Sequence, residues 1–339
     1  MIGMTSIRRL VGYRGWKVWM SYDFHILLLA ILYNLVTVND FGFLDSLLLI
    51  SLYGFYLMFG FLINDYFDRA VDIAAGKKRT IQELPEFMFI LINCLVFSII
   101  IVHVVHFLLL KKVLFSIILS SSIFWGFFYC APPLRFKSRG IVGIIINGLT
   151  EKTLPVLAVF AVFDHFEIDT FLFVITSFSI HISEILTHQI LDYESDLKTG
   201  INSYVRRIGI ERSLTIFRTV VSPVSGILII MLCILISLKV PSAAILLVIT
   251  LLTYIVLFLM IANGRIKREE KIVPLYLSCL YILLNNVFPP FLALILSLRS
   301  PLNTAFLLVA LGSQYYVAKH RYHSIKQKVL SHMEIFVDS

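Results

Sequence analysis

The chain has 339 residues, of which 59% are hydrophobic and only 15% charged, and its mean hydropathy is +0.90. Soluble domains run at about half apolar and a quarter charged, so these proportions exclude a water-soluble globular protein and predict one dissolved in lipid. The formal net charge of +8 invites a nucleic-acid reading, but the basic residues lie between apolar runs and follow a membrane-topology rule instead.

Ten apolar runs predict ten membrane spans: 22–38, 41–63, 87–110, 113–130, 141–163, 170–191, 214–238, 242–262, 273–297 and 303–318, the last being the shortest. Backbone polar groups cannot stay unpaired in hydrocarbon, so the spans are read as helices. Residues 1–21 carry Arg8, Arg9, Arg14 and Lys17 without an apolar core or a small-residue cleavage site. They are expected to remain as a cytoplasmic N-terminal segment, not a removable signal. Residues 22–297 then form a nine-span membrane domain, and 298–339 a tenth span with a basic cytoplasmic tail. Of the 29 Lys and Arg, all but Lys111, Lys112, Lys152, Lys239 and Arg299 fall on one side when the N-terminus is placed inside. This is the positive-inside bias. It predicts an integral protein of a bacterial inner or organelle membrane with both termini in the cytoplasm. The four cysteines, Cys94, Cys130, Cys233 and Cys279, lie within or at the ends of apolar runs, which argues for packing and against a disulfide framework.

The second and sixth runs end in similar polar segments. The first reads Asn64-xxx-Asp68-xxx-Asp72-xxx-Gly76, followed by Lys77, Lys78 and Arg79; the second reads His188-xxx-Asp192-xxx-Asp196-xxx-Gly200, with Lys198, Arg206 and Arg207 nearby. The two are four spans apart, an even number, so orientation is kept. The pattern predicts two parallel pseudo-repeats of four helices. Residues four apart share a helix face, so Asn64, Asp68 and Asp72 form one oxygen-rich stripe, and Glu184, His188, Asp192 and Asp196 a second. Acids near lipid depth are costly unless neutralised. Mg²⁺, which takes one or two carboxylates with water and substrate phosphate, suits two facing stripes that bridge a diphosphate. The plainer alternative is that such carboxylates are solvated loop residues; two copies at matching helix ends weigh against it.

After the fourth run, Pro132 and Pro133 stop the helix and set a stiff turn that presents Arg135 and Lys137. Cations there can hold a departing diphosphate, although topology alone would also account for them. The upstream aromatics Phe124, Trp125, Phe127, Phe128 and Tyr129 read mainly as an interfacial belt, with Tyr129 singled out as able to face a carbocation. Within the fifth run, Glu151 and Lys152 are expected to satisfy each other or line a wet cavity. Asn147 is the substrate-contact candidate there. Glu184 and His188, deeper on the face of Asp192, are candidates to meet a second substrate, His188 as a general base or hydrogen-bond donor.

Together these residues resemble the UbiA-type intramembrane prenyltransferase superfamily. Its first motif, N-D-x-x-D-x-x-x-D, stands here as Asn64, Asp65, Asp68 and Asp72, and its second, D-x-x-x-D, as Asp192 and Asp196. Tyr129, Pro132, Pro133 and Lys137 are similar to the Y-x-x-P-P-x-x-x-K element of the chlorophyll-synthase and homogentisate-prenyltransferase branch. The resemblance, over about residues 20–297, implies an all-α bundle of nine to ten helices around a central cavity. It implies Mg²⁺ held by Asn64, Asp68, Asp72, Asp192 and Asp196, an isoprenyl diphosphate as donor, and a lipophilic, aromatic acceptor captured by an allylic cation. Arg79, Arg135 and Lys137 would bind the diphosphate. Two departures are Thr80 after Arg79, where members commonly carry Arg-Pro, and the tenth run. A close alternative is a terpene cyclase of the same family, in which the cation closes on its own chain. A transporter using the aspartates as ion sites is disfavoured by their position at helix ends. No nucleic acid and no obligate protein partner are expected.

Overall fold

The computed structural model describes residues 13, 20, 23–38, 41–74, 76, 84–263, 272–315 and 317–319, and the regular elements among them are all helices. In chain order these are α1 (Phe24–Thr37), α2 (Phe43–Phe67), α3 (Arg69–Ala74), α4 (Glu86–Leu109), α5 (Val113–Cys130), α6 (Ile141–Val162), α7 (Ile168–Leu191), α8 (Tyr193–Thr199), α9 (Tyr204–Ile208), α10 (Ile210–Lys239), α11 (Pro241–Ala262), α12 (Leu275–Arg299) and residues 304–315. Eight of them, namely α2, α4, α5, α6, α7, α10, α11 and α12, are long and apolar enough to cross a bilayer. Each predicted apolar run therefore carries a helix. The second extends to Phe67, beyond its expected end at 63, because its polar last turn keeps the helical hydrogen bonds.

The first run differs most from expectation. Residues from Phe24 to Val36 are buried without exception, so α1 is apolar all round because it is surrounded by protein. It packs against α2, α6 and α12. Arg299 Nη1 donates to the Val36 carbonyl at 2.9 Å, and Tyr33 Oη to Asp169 at 2.7 Å, which ties its C-terminal end. At the other extreme, no residue of Ala244–Ala262 is buried, and α11 presents Leu252, Ile255 and Phe258 outward.

Lipid tails are as apolar as leucine, so the helices are held by close packing and interhelical hydrogen bonds, the latter worth about 0.6 kcal/mol each on average. Small residues make the close approaches. A Cβ on Gly148 would lie 3.0 Å from Phe178, and one on Gly226 2.9 Å from Tyr276. Between α7 and α10, Ser179 and Ser225 share a hydroxyl hydrogen bond of 2.7 Å.

Three spans contain one widened, π-helical turn: Leu149–Thr153 in α6, Phe217–Val221 in α10 and Leu283–Val287 in α12. Each is followed closely by a proline, Pro155, Pro223 or Pro289. A proline ring clashes with the carbonyl four residues earlier and supplies no N–H. Those carbonyls belong to Glu151, Thr219 and Asn285, each the middle residue of its π turn. Widening the helix relieves the clash. In α6 it also turns two successive ionisable residues, Glu151 and Lys152, into the bundle.

The ends of α2 and α7 are built alike. Asp68 N–H bonds to Asn64 O at 3.0 Å and Asp72 N–H to Asp68 O at 2.8 Å; Asp192 N–H bonds to His188 O at 2.9 Å and Asp196 N–H to Asp192 O at 2.8 Å. Each aspartate starts a short helix, α3 or α8. Gly76 and Gly200 then take left-handed conformations, with φ of 69° and 74°, which glycine adopts without steric cost. All four cysteines are free thiols, in keeping with packing roles.

Candidate active site

The α2 and α7 ends open onto one cavity of about 450 Å³, within the range typical of small-molecule sites. Asn64 and Asp192 line its mouth from opposite helices, and His188 lines it one turn below Asp192. Tyr56, Phe59, Phe61, Phe127 and Tyr129 supply an aromatic wall. Phe124 and Trp125 point outward, at 52% and 37% exposure, whereas Phe127, expected with them in an interfacial belt, lines the cavity beside Tyr129.

The turn after α5 delivers the two cations. Its backbone is fixed by Arg135 N–H to Ala131 O at 2.9 Å and by Ser138 Oγ to Arg135 O at 3.0 Å. Arg207 Nη2 reaches across from α9 to Ser138 O at 3.3 Å. The turn lies so close to α6 that a Cβ on Gly143 would sit 2.4 Å from the Phe136 carbonyl oxygen. Arg135 is held left-handed, φ 34°, a conformation an arginine adopts only under tertiary constraint. The outcome is that Lys137 Nζ pairs with Asp68 Oδ2, and Arg135 Nη2 lies 3.5 Å from Asp68 Oδ1. Asp68 is therefore the acceptor for both.

The remaining predicted site residues divide. Asp72 and Asp196 are buried, at 8% and 7% exposure, and, like Asp68, Arg135 and Lys137, are not among the residues that line the cavity. Asp65 of the same motif is also buried and accepts a 3.0 Å hydrogen bond from Tyr13. Arg79, with Lys77 and Lys78, lies outside the described residues. Asn147 lines the cavity and takes a hydrogen bond from His181 Nε2 on its side-chain oxygen.

Glu184 does not line the cavity. It pairs with Lys152, whose side chain is 1% exposed and whose Nζ lies 3.7 Å from Asp23 Oδ1. Of the two expectations for Glu151 and Lys152, mutual pairing is not met: neighbours in a helix point in different directions, and Lys152 finds its partners on α7 and at the head of α1. Glu151 instead faces the cavity, with Oε2 3.6 Å from His181 Nε2. Among the described residues, the only three-ligand group compact enough for a metal is His165, Glu167 and Asp169, at the other end of the bundle. There Asp169 is already engaged by Tyr33, His165 and the Thr170 N–H.

The profile of the UbiA prenyltransferase family matches residues 24–280. The chain belongs to that family. As a UbiA-family enzyme it shares its fold with solved relatives. It is similar to a UbiA homolog from Archaeoglobus fulgidus solved with DMAPP and Mg²⁺, at 18% identity and a TM-score of 0.58, over 90% of this chain and 99% of that one. The same homolog bound to GPP and Mg²⁺ gives 18% identity and a TM-score of 0.55, over 89% and 99%. A structure described for digeranylgeranylglyceryl phosphate synthase in membranes gives 16% identity and a TM-score of 0.50, over 89% and 99%. No curated protein matches the chain.

Sequence reasoning left Asp23, Tyr56 and His181 of this UbiA-family site out, and set Glu151 and Lys152 aside. Glu151 had a usable signal, since it lies four residues after Asn147 and four before Pro155. Tyr56 shows why the π turn matters. Its hydroxyl and that of Ser122 both donate to the Thr150 carbonyl inside that turn. Asp23 has no local signal, because its partner is 129 residues away.

Proposed function

We propose that this enzyme transfers an isoprenyl group from an isoprenyl diphosphate to a lipophilic, aromatic acceptor within the membrane, with Mg²⁺ as cofactor. The observation that carries this is the placement of Asn64 and Asp192, from two similarly built helix ends, on one cavity whose wall is aromatic. Family membership supports it, as do the Mg²⁺ and the allylic diphosphates bound by the Archaeoglobus homolog.

The donor set fits Mg²⁺. Asn64, Asp68 and Asp192 offer hard oxygens without closing into a cage, which suits an ion that keeps waters and takes substrate phosphate. Asp72 and Asp196, one turn further along each stripe, are the additional ligands in this reading. Bound Mg²⁺ supplies the charge that offsets the diphosphate. Lys137 and Arg135, already beside Asp68, take up charge on the leaving group, with Arg79 as a third candidate cation. Tyr129 and Phe127 offer ring faces to the allylic cation, and the apolar wall keeps water from it.

The Tyr129, Pro132, Pro133 and Lys137 element favours the chlorophyll-synthase and homogentisate-prenyltransferase branch. The positive-inside bias favours a cytoplasmic site. Incubation of the purified protein with Mg²⁺ and geranylgeranyl diphosphate, with and without an aromatic acceptor, tests the proposal. Prenylated acceptor is expected. Release of a cyclic hydrocarbon or alcohol without acceptor would replace it with the cyclase reading.

A further inference from the structure

Below the motif aspartates the cavity ends in a polar cluster that diphosphate binding does not use. Asp23 and Glu151 line the cavity. The nearest cation, Lys152, does not reach it, because it is buried between Glu184 and Asp23. His181, 4% exposed, joins the cluster from α7: its Nε2 meets Asn147 and stands 3.6 Å from Glu151, and its Nδ1 points toward Glu184 at 3.9 Å. That Nδ1 has no hydrogen-bond partner among the described residues. It faces Glu184, and neither His181 nor Glu184 lines the cavity, so the polar groups this end offers a ligand are those of Asp23, Glu151 and Asn147.

The balance of charge decides what fits. Three carboxyls, on Asp23, Glu151 and Glu184, surround a single ammonium that is already engaged by two of them. A carboxylate entering here would meet two cavity-lining acids and, among the described residues, no free cation, and like charges brought together out of water repel strongly. A hydroxyl meets acceptors on both walls, and Asn147, whose oxygen is taken by His181, offers its amide N–H₂.

We infer that the deep end of the cavity is the acceptor-headgroup subsite, that it selects a neutral hydroxyl-bearing ring over a carboxylate-bearing one, and that Glu151 takes the proton released on capture. The inference rests on the prenyl-transfer reading above. In the step, a ring carbon ortho to the hydroxyl bonds to C1 of the prenyl cation. The electrons come from the ring as the O–H pair forms a carbonyl. The O–H proton passes to Glu151, and the C1–O pair has left with diphosphate. Tautomerisation moves the remaining ring proton to the carbonyl oxygen and restores aromaticity.

The test uses the full-length protein in lipid nanodiscs with Mg²⁺, geranylgeranyl diphosphate, and either 1,4-dihydroxynaphthalene or its 2-carboxylate. The expected result is a kcat/KM at least about tenfold higher for the neutral naphthalenediol. In Glu151→Gln, the ratio of prenylated acceptor to free prenyl alcohol should fall by about 100-fold or more, with partial recovery in Glu151→Asp. Equal or reversed preference for the carboxylate overturns the subsite. A parallel loss of both products in Glu151→Gln, which a merely structural role would give, overturns the proton-transfer role. If the wild-type protein consumes the donor but prenylates neither acceptor, or releases no diphosphate at all, the prenyl-transfer reading itself fails, a result distinct from the other two.

Discussion

Lys137 on the turn after α5 and Asp68 at the end of α2 form an ion pair, with Lys137 16% and Asp68 13% exposed. The pair joins two residues 69 positions apart and, with Arg135, sets two cations beside the first aspartate motif. In the proposed reading a divalent ion held by Asp68 would share that carboxylate with the Lys137 ammonium, which would couple the turn to the motif.

Replacing either motif aspartate should stop the reaction. Asp68→Ala and Asp192→Ala are each expected to lose detectable turnover while keeping the helical circular-dichroism spectrum of the wild type, Asp68→Ala with a lowered melting temperature because it leaves Lys137 unpaired. Full activity in either variant would remove the metal-site reading.

Lys137→Met should lower kcat by about 100-fold or more, the usual effect of removing one preorganised donor to developing negative charge. Arg135→Met should cost less, because its guanidinium is more exposed and stands farther from Asp68. Steady-state rates at saturating donor separate the two, and equal losses would mean that neither is preferentially placed.

The turn can be displaced without touching a charge. A methyl at Gly143 meets the Phe136 carbonyl, whereas at Gly312 it meets nothing within 4 Å. Gly143→Ala should lower activity by about tenfold or more, as misplacement of a positioned group by an ångström can. Gly312→Ala should not. A matched pair of rates and melting curves checks this.

Lys152 is a stability determinant as well as a charge in the cluster. Removing one partner of a buried pair leaves the other uncompensated and costs about 3–5 kcal/mol. Lys152→Met should therefore lower the melting temperature clearly, and adding Glu184→Gln should restore part of the loss. An unchanged melting temperature in the single variant would show that water reaches the pair.

Much of this architecture was readable from local pattern. Eight of the ten apolar runs carry helices long and apolar enough to cross, since lipid imposes the same demand on every exposed stretch, and among the described residues the first and last runs do not. The N-xxx-D-xxx-D-xxx-G and H-xxx-D-xxx-D-xxx-G segments fold to the same helix end because the same spacing closes the same hydrogen bonds. What escaped was non-local. That α1 would be the enclosed helix, and not one more lipid-facing span, depends on its neighbours. That Lys152 would choose Glu184 and Asp23 over the adjacent Glu151 depends on the π turn that Pro155 imposes and on where α7 and α1 then lie. Asp72 and Asp196 match the family pattern, yet their burial away from the cavity wall could not be read from spacing.

The central claim is that both aspartate motifs hold the diphosphate through Mg²⁺. Calorimetric titration with a non-ionising analogue, geranylgeranyl thiodiphosphate, tests it most directly. Binding is expected to require Mg²⁺, to be abolished by EDTA, and to be lost in both Asp68→Ala and Asp192→Ala. Equal affinity without the metal, or undiminished binding in either variant, would contradict it.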